Sequence, residues 1–157
     1  MRRSSSSGRA SAGTFSATTR FKGAADWTFH TKPASDPTAR DERAMGKIIY
    51  DGPNGAQVEV IGPDYSFSGH GLDAALEEER NKLGATASGA PKKVTISGDA
   101  GYFQAMVTPT SSDDLAAMVV VLHGLVPYEV VVFCEPEDAT TDVAVMAEIA
   151  DSINWEI

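Results

Sequence analysis

The chain has 157 residues, 42% of them hydrophobic and 22% charged, with a formal net charge of −9. That suffices for one domain with a real core, and no apolar run approaches the ~20 residues a membrane-spanning helix needs. The single cysteine, Cys134, excludes an internal disulfide and gives no basis for a cysteine zinc site.

The charge is unevenly placed. Residues 1–45 carry eight basic and four acidic side chains; residues 46–157 carry five and eighteen. A body this acidic repels phosphate backbones, which argues against nucleic acid as a partner of the folded part. Residues 1–25 are rich in Arg and Ser and contain no acid. That is the composition of an organellar transit peptide and equally of a plain solvated arm, and no apolar signal-peptide core is visible. The expected location is therefore a plastid, or otherwise a soluble compartment. Phe15, Phe21, Trp27 and Phe29 make the stretch too aromatic for a simple linker. They are the candidate partner-binding residues of an N-terminal arm spanning 1–44, and 27–30 reads as a short strand. Residues 32–45, with two prolines and mixed charges, read as a linker.

A compact domain is expected over 45–157. Residues 47–50 and 57–61 form a hairpin around Asp51-Gly52-Pro53-Asn54-Gly55, where Asn-Gly supplies positive φ. Tyr65-Ser66-Phe67 reads as extended. A helix follows over 72–83, with Leu72, Ala75, Leu76 and Leu83 inside, Glu77, Glu78 and Arg80 outside, and Gly84 as its stop. Residues 93–97 and 102–108 are two further strands.

The chain's strongest feature comes next. Residues 116–122 and 128–134 are apolar runs without polar alternation, so both faces of each strand must be covered. Residues 135–138 break the chain. A last helix begins near Thr140 or Thr141, with Asp142 in its first turn and Val145 or Met146, Ile149 and Ile153 as its buried stripe. The fold class is α+β: a mostly antiparallel sheet with helices packed on its faces, in the order β-β-α-β-β-β-β-α. Two helices are few for a sheet apolar on both sides. Either each face receives one, or the aromatic arm or a partner completes a face.

Motifs that commit the chain to a chemistry are missing. Gly69-His70-Gly71-Leu72-Asp73-Ala74 has the spacing of a dinucleotide fingerprint, but no buried parallel strand precedes it and no βαβ unit follows, so it reads as a lead-in to the helix. Cys134 with His123 or His70 would be a nucleophile and its base. Alternation instead places Cys134 with Val130 and Val132, as a core thiol. Glu135, Glu137 and Asp138, or Asp113 and Asp114, lack the ligand spacing of a calcium loop. No catalytic residue, cofactor or metal is therefore expected.

The element order, the apolar hairpin, the acidic-Pro break and Ile149-x-x-Ser152-Ile153 together resemble the PsbP-like α/β/α sandwich. Local features of the match are 96–102, Gly124 with Tyr128, and 147–153. The resemblance spans residues 45–157. It implies a non-enzymatic domain docking on a larger protein complex, as in the photosystem extrinsic proteins, with any membrane association made through that partner. The fold's other members include import factors, lipoproteins and secretion chaperones, so a chaperone or adaptor that cradles an apolar client segment is the alternative. A small Cys/His enzyme is the third reading. No family functional residue carries over, because no binding motif matches residue by residue.

Overall fold

The structure, a computed structural model, describes residues 8–34, 45–107 and 115–156. Eleven strands and two α-helices are present among them. The first three strands are β1 (Arg9–Ser11), β2 (Phe15–Thr18) and β3 (Thr28–Lys32). After them come β4 (Gly46–Asp51), β5 (Gln57–Gly62), helix α1 (Leu72–Lys82) and the two-residue β6 (Thr86–Ala87). The second half holds β7 (Lys92–Ile96), β8 (Asp99–Val107), β9 (Leu115–His123), β10 (Val126–Phe133), helix α2 (Ala139–Asp151) and β11 (Asn154–Trp155).

An eight-stranded sheet runs β3-β4-β5-β10-β9-β8, with β6 and β7 both pairing β8. Every pairing is antiparallel. The expected apolar hairpin sits at its centre: Val130 faces Val119 on one side and Val60 on the other. Gly124 turns that hairpin at φ 65°, a conformation costly for any residue with a Cβ.

Alternation then divides the side chains between two cores. Ala117, Val119 and Val121 of β9, with Tyr128, Val130 and Val132 of β10, join Ile48, Tyr50, Val58 and Val60 under α2. Met118, Val120 and Val131 join Ile61, Met106 and Leu115 under α1. Each fully buried Val or Ile contributes about 1.5–3 kcal/mol, so these central strands dominate the driving force. Helix α2 buries Val145, Met146 and Ile149 of the expected stripe together with Ala150 and Asp142, and Ile153 is buried just past its end. Helix α1 buries Ala75, Leu76 and Glu79, and Gly84 follows it at φ 63° as the expected stop.

The question of how two helices cover two faces is answered by the N-terminal residues. Strands β1 and β2 pair with the C-terminal β11 into a small separate sheet. That sheet lies beside α2, with Phe15, Ala10, Ala12 and Ala17 buried in the same core. The described part of the expected arm, residues 8–34, is thus built into the body, and β3 extends the large sheet by pairing β4. Glycines at and just past the two ends of β4 make room for it. A Cβ on Gly46 would stand 2.7 Å from the Ala12 carbonyl oxygen, and one on Gly52 would stand 2.6 Å from the Trp27 ring. Polar bonds fix the arm further. The Tyr50 hydroxyl donates to the Thr18 carbonyl at 2.7 Å, and the Arg9 guanidinium donates to the Ser152 carbonyl at the end of α2.

One local expectation changes. Residues 65–67 form a 3-10 turn instead of an extended segment, because the Asp64 side chain accepts the Ser66 N–H and closes the turn. The Asp51–Ala56 connection also contains a short 3-10 turn, with Asn54 at φ 57° and Gly55 at φ 77° supplying the positive φ expected there.

Candidate functional site: an open groove beside a buried ionic cluster

Helix α1 lies across β8, β9 and β10, and among the described residues no helix covers the β3-β4-β5 half of its face. Here the strands do alternate. Lys47 and Glu59 point out of the sheet among Ile49 and Ile61. The open half ends against α1 in a cavity of about 620 Å³. Its floor is Ile61, Val131 and Phe133; Leu83 and Lys82 wall it on the α1 side, and Met45 and Lys32 on the other. Glu59 and Glu129 line it as well. The groove is thus an apolar strip with carboxylates and ammonium groups set along it, the lining expected for an amphipathic segment of another protein.

Behind the Lys82 wall lies the most unusual electrostatic feature among the described residues. Asp64 and Glu79 are 2% and 1% exposed, and one ammonium serves both. Lys82 Nζ donates to Asp64 Oδ2 at 2.6 Å and lies 3.3 Å from Glu79 Oε2. Asp64 also accepts from the Ser66 N–H at 3.1 Å and from the Ser66 hydroxyl. Burial pushes the Asp64 carboxyl upward, but the hydrogen bonds from Lys82 and Ser66 outweigh it and hold it below the usual carboxylate range. Glu79 has no such set of donors. Burial first, then the Asp64 charge, push it to about 7. For Lys82 burial acts downward, but the bond to Asp64 and the fields of both carboxylates win, and it stays charged.

A second polar cluster lies on the other, α2-side face of the sheet. His123, the last residue of β9, places Nδ1 2.8 Å from Asp99 Oδ2. A carboxylate only accepts, so Nδ1 is the protonated nitrogen. The ring stacks on Trp155 of β11 at 5.6 Å and 18°, and Trp155 touches Tyr128 and Phe15 at 4.8 Å each. The bond to Asp99 fixes the His123 ring, and the ring's stacking on Trp155 ties the C-terminal strand to the large sheet.

The four aromatic candidates have different environments. Phe15 is 1% exposed and packs on Trp155. Phe21 and Trp27 are partly buried edge-to-face against each other, with Phe21 also against Tyr50. Phe29, on edge strand β3, is 47% exposed. The structure does not bring Cys134 together with a histidine pair. Cys134 is buried in the α2-side core with Val130 and Val132, as alternation predicts. His123 is held by Asp99, and His70 stacks on Phe67 at 4.1 Å in the loop before α1. Asp138 accepts a bond from Asn54 at 3.2 Å. Asp113 and Asp114 fall outside the described residues. Among the described residues no cluster of three or more His, Cys, Asp or Glu side chains is arranged to hold a metal ion, and no helix is long and apolar enough to cross a membrane.

Sequence reasoning missed the Asp64–Glu79–Lys82 cluster. The signal was present in the spacing. Leu72, Leu76, Glu79 and Leu83 recur at helical intervals, so Glu79 falls on the buried stripe although it belongs to a run of three glutamates.

No family model matches the chain, and no curated protein matches its sequence. Among solved structures, the solution structure of cyanobacterial PsbP (CyanoP) from Synechocystis sp. PCC 6803 is similar over 90% of this chain and 86% of its own. The TM-score is 0.54 at 10% sequence identity, a likeness of fold. The architecture is that of a PsbP-like α+β sandwich.

Proposed function

We propose that this chain is a non-enzymatic accessory subunit that docks on a larger protein complex, a photosynthetic one in the first instance. The observation that carries the reading is the fold-level likeness to cyanobacterial PsbP over nearly the whole chain. The motif-level resemblance read from residues 96–102 and 147–153 supports it. The acid-free N-terminal stretch accords with delivery to a plastid. We assign the docking surface to the β3 edge of the sheet, where the groove beside β4 and β5 is an apolar strip on the α1 face and Phe29, opposite Tyr50, is an exposed aromatic on the other face. The groove also favours the second reading, a chaperone or adaptor seating an apolar client segment.

The test is native co-purification of the full chain, with Phe29→Ala and Ile61→Glu as variants. Co-purification with photosystem subunits, reduced by either variant while circular dichroism stays native, is the expected result. Recovery of unassembled client chains in place of a complex selects the chaperone reading. Unreduced recovery with both variants moves the docking surface elsewhere. A Cys134→Ser chain that docks normally removes the thiol-enzyme reading.

A further inference from the structure

Two buried carboxylates sharing one lysine are an unbalanced arrangement. With all three groups ionised the cluster carries a net negative charge in a site from which water is excluded. Binding one proton between the carboxylates restores neutrality. The position of the cluster gives that proton a structural consequence. Glu79 and Lys82 occupy the last turn of α1, while Asp64 is fixed to the loop after β5 by Ser66, so the cluster bridges helix end and sheet. Lys82 and Leu83 are also the α1-side wall of the groove.

We propose that Asp64, Glu79 and Lys82 form a proton-sensitive latch that holds the C-terminal turn of α1 on the sheet, closed when the two carboxylates share a proton and loosened when both are ionised. The latch shapes the groove wall whether or not the groove is where a partner docks.

Among the described residues the surroundings offer little else in contact to compensate the charge; Lys32 and Lys47 line the same groove, with Lys47 3.9 Å from Glu59. Against α1, β9 presents only apolar side chains, Met118 and Val120. On β8, Gln104 is neutral and already accepts from Arg80 at 3.3 Å while donating to the Gly89 carbonyl at 2.7 Å. Tyr102 of β8 engages Asp73, in the opposite turn of α1. β10 contributes Glu129, a further carboxylate, on the cavity side. Lys82 is held by Asp64 at the shorter distance, so Glu79 is the group whose ionisation changes between mildly acidic and mildly alkaline solution.

The sign follows from linkage. Glu79 is raised to about 7 in the closed state, against about 4.3 for a free glutamate. Its proton therefore favours the closed state, fully so below the free value, and that preference is lost as pH rises through the closed-state value. Opening of the α1 turn should become about tenfold more favourable between pH 6 and pH 8.

The test uses the full chain. Carbon-13 NMR reads the Glu79 carboxyl, and amide hydrogen exchange, corrected for its intrinsic pH dependence, compares the last turn of α1 with α2. A Glu79 midpoint near 7 and an α1 protection that falls about tenfold relative to α2 from pH 6 to pH 8 are expected. In Glu79→Gln the protection should become flat with pH. A wild-type Glu79 already ionised at pH 5, or α1 and α2 losing protection in parallel, would overturn the latch. A Glu79→Gln chain that keeps the tenfold fall would overturn it too. Should that variant fail to fold, the wild-type titration and exchange decide alone.

Discussion

The two faces of the large sheet are finished in different ways. The α2 face is closed by a helix and by the small sheet of β1, β2 and β11, and its core is mostly apolar, with the Asp142 carboxyl and the Tyr128 hydroxyl as buried polar groups. The α1 face has one helix over half its width, a buried ionic cluster at the end of that helix, and an open strip beyond it. Apolar packing is insensitive to pH and contributes most of the stability; ionic clusters contribute little net stability but respond to protons and partners. The dry face therefore carries the fold, and the wet face is where recognition and response are placed.

The largest effect is expected on the dry face. Phe15→Ala removes a fully buried ring that packs on Trp155 and joins the N-terminal and C-terminal strands. Truncation of a buried Phe costs about 3–5 kcal/mol. Denaturant unfolding should show the midpoint falling with unchanged slope. A cost below about 1 kcal/mol would mean that the small sheet is a dispensable extension and that the contrast between the faces is overstated.

Next comes the cluster. Lys82→Met leaves Asp64 and Glu79 buried without their shared cation, and removing one partner of such a set costs about 3–5 kcal/mol. The loss should be greater at pH 8 than at pH 6. Without the ammonium the pair holds its proton to higher pH, and stability from a carboxylate raised in the folded state disappears as pH rises through its folded value. Equal losses at the two pH values would show that Lys82 acts by packing alone.

The difference between the faces also explains what could be read from the sequence. The strands β9 and β10 and the stripes of both helices were legible because burial on both sides imposes an apolar run and burial on one side imposes a helical period. The strand at β3 was legible from Trp27 and Phe29. Strands β1 and β2 were not: Arg-Ala-Ser and Phe-Ser-Ala-Thr have the composition of a linker, and only Ala10, Ala12, Phe15 and Ala17 lie against the core. Two-residue strands such as β6 and β11 are set by their partners and leave no pattern. The latch residues were hidden for another reason. Asp64 and Glu79 are brought together by the turn at Ser66 and the angle of α1, neither of which a spacing rule contains.

A smaller effect should come from the tie between the sheets. Asp99→Asn replaces the carboxylate that accepts from His123 Nδ1 with an amide of nearly the same shape. The expected cost is about 1 kcal/mol, the net worth of one such bond. Trp155, stacked on His123, provides the readout, since its fluorescence should report added mobility at β11 before global unfolding.

The smallest effect makes the sharpest test, because it sets neighbouring residues of one strand against each other. On β4, Ile48 is fully buried under α2, while Lys47 points to the open face, 3.9 Å from Glu59 with 39% of its side chain exposed. Ile48→Ala should cost about 2–5 kcal/mol, as a buried aliphatic truncation does. Lys47→Ala should stay within about 0.5 kcal/mol, since a screened surface pair contributes little. Its effect should appear instead in docking, because Lys47 lines the groove. A stability loss at Lys47 comparable with that at Ile48 would mean that the open half of the α1 face is a core element, and the groove would lose its standing as a surface kept available for a partner.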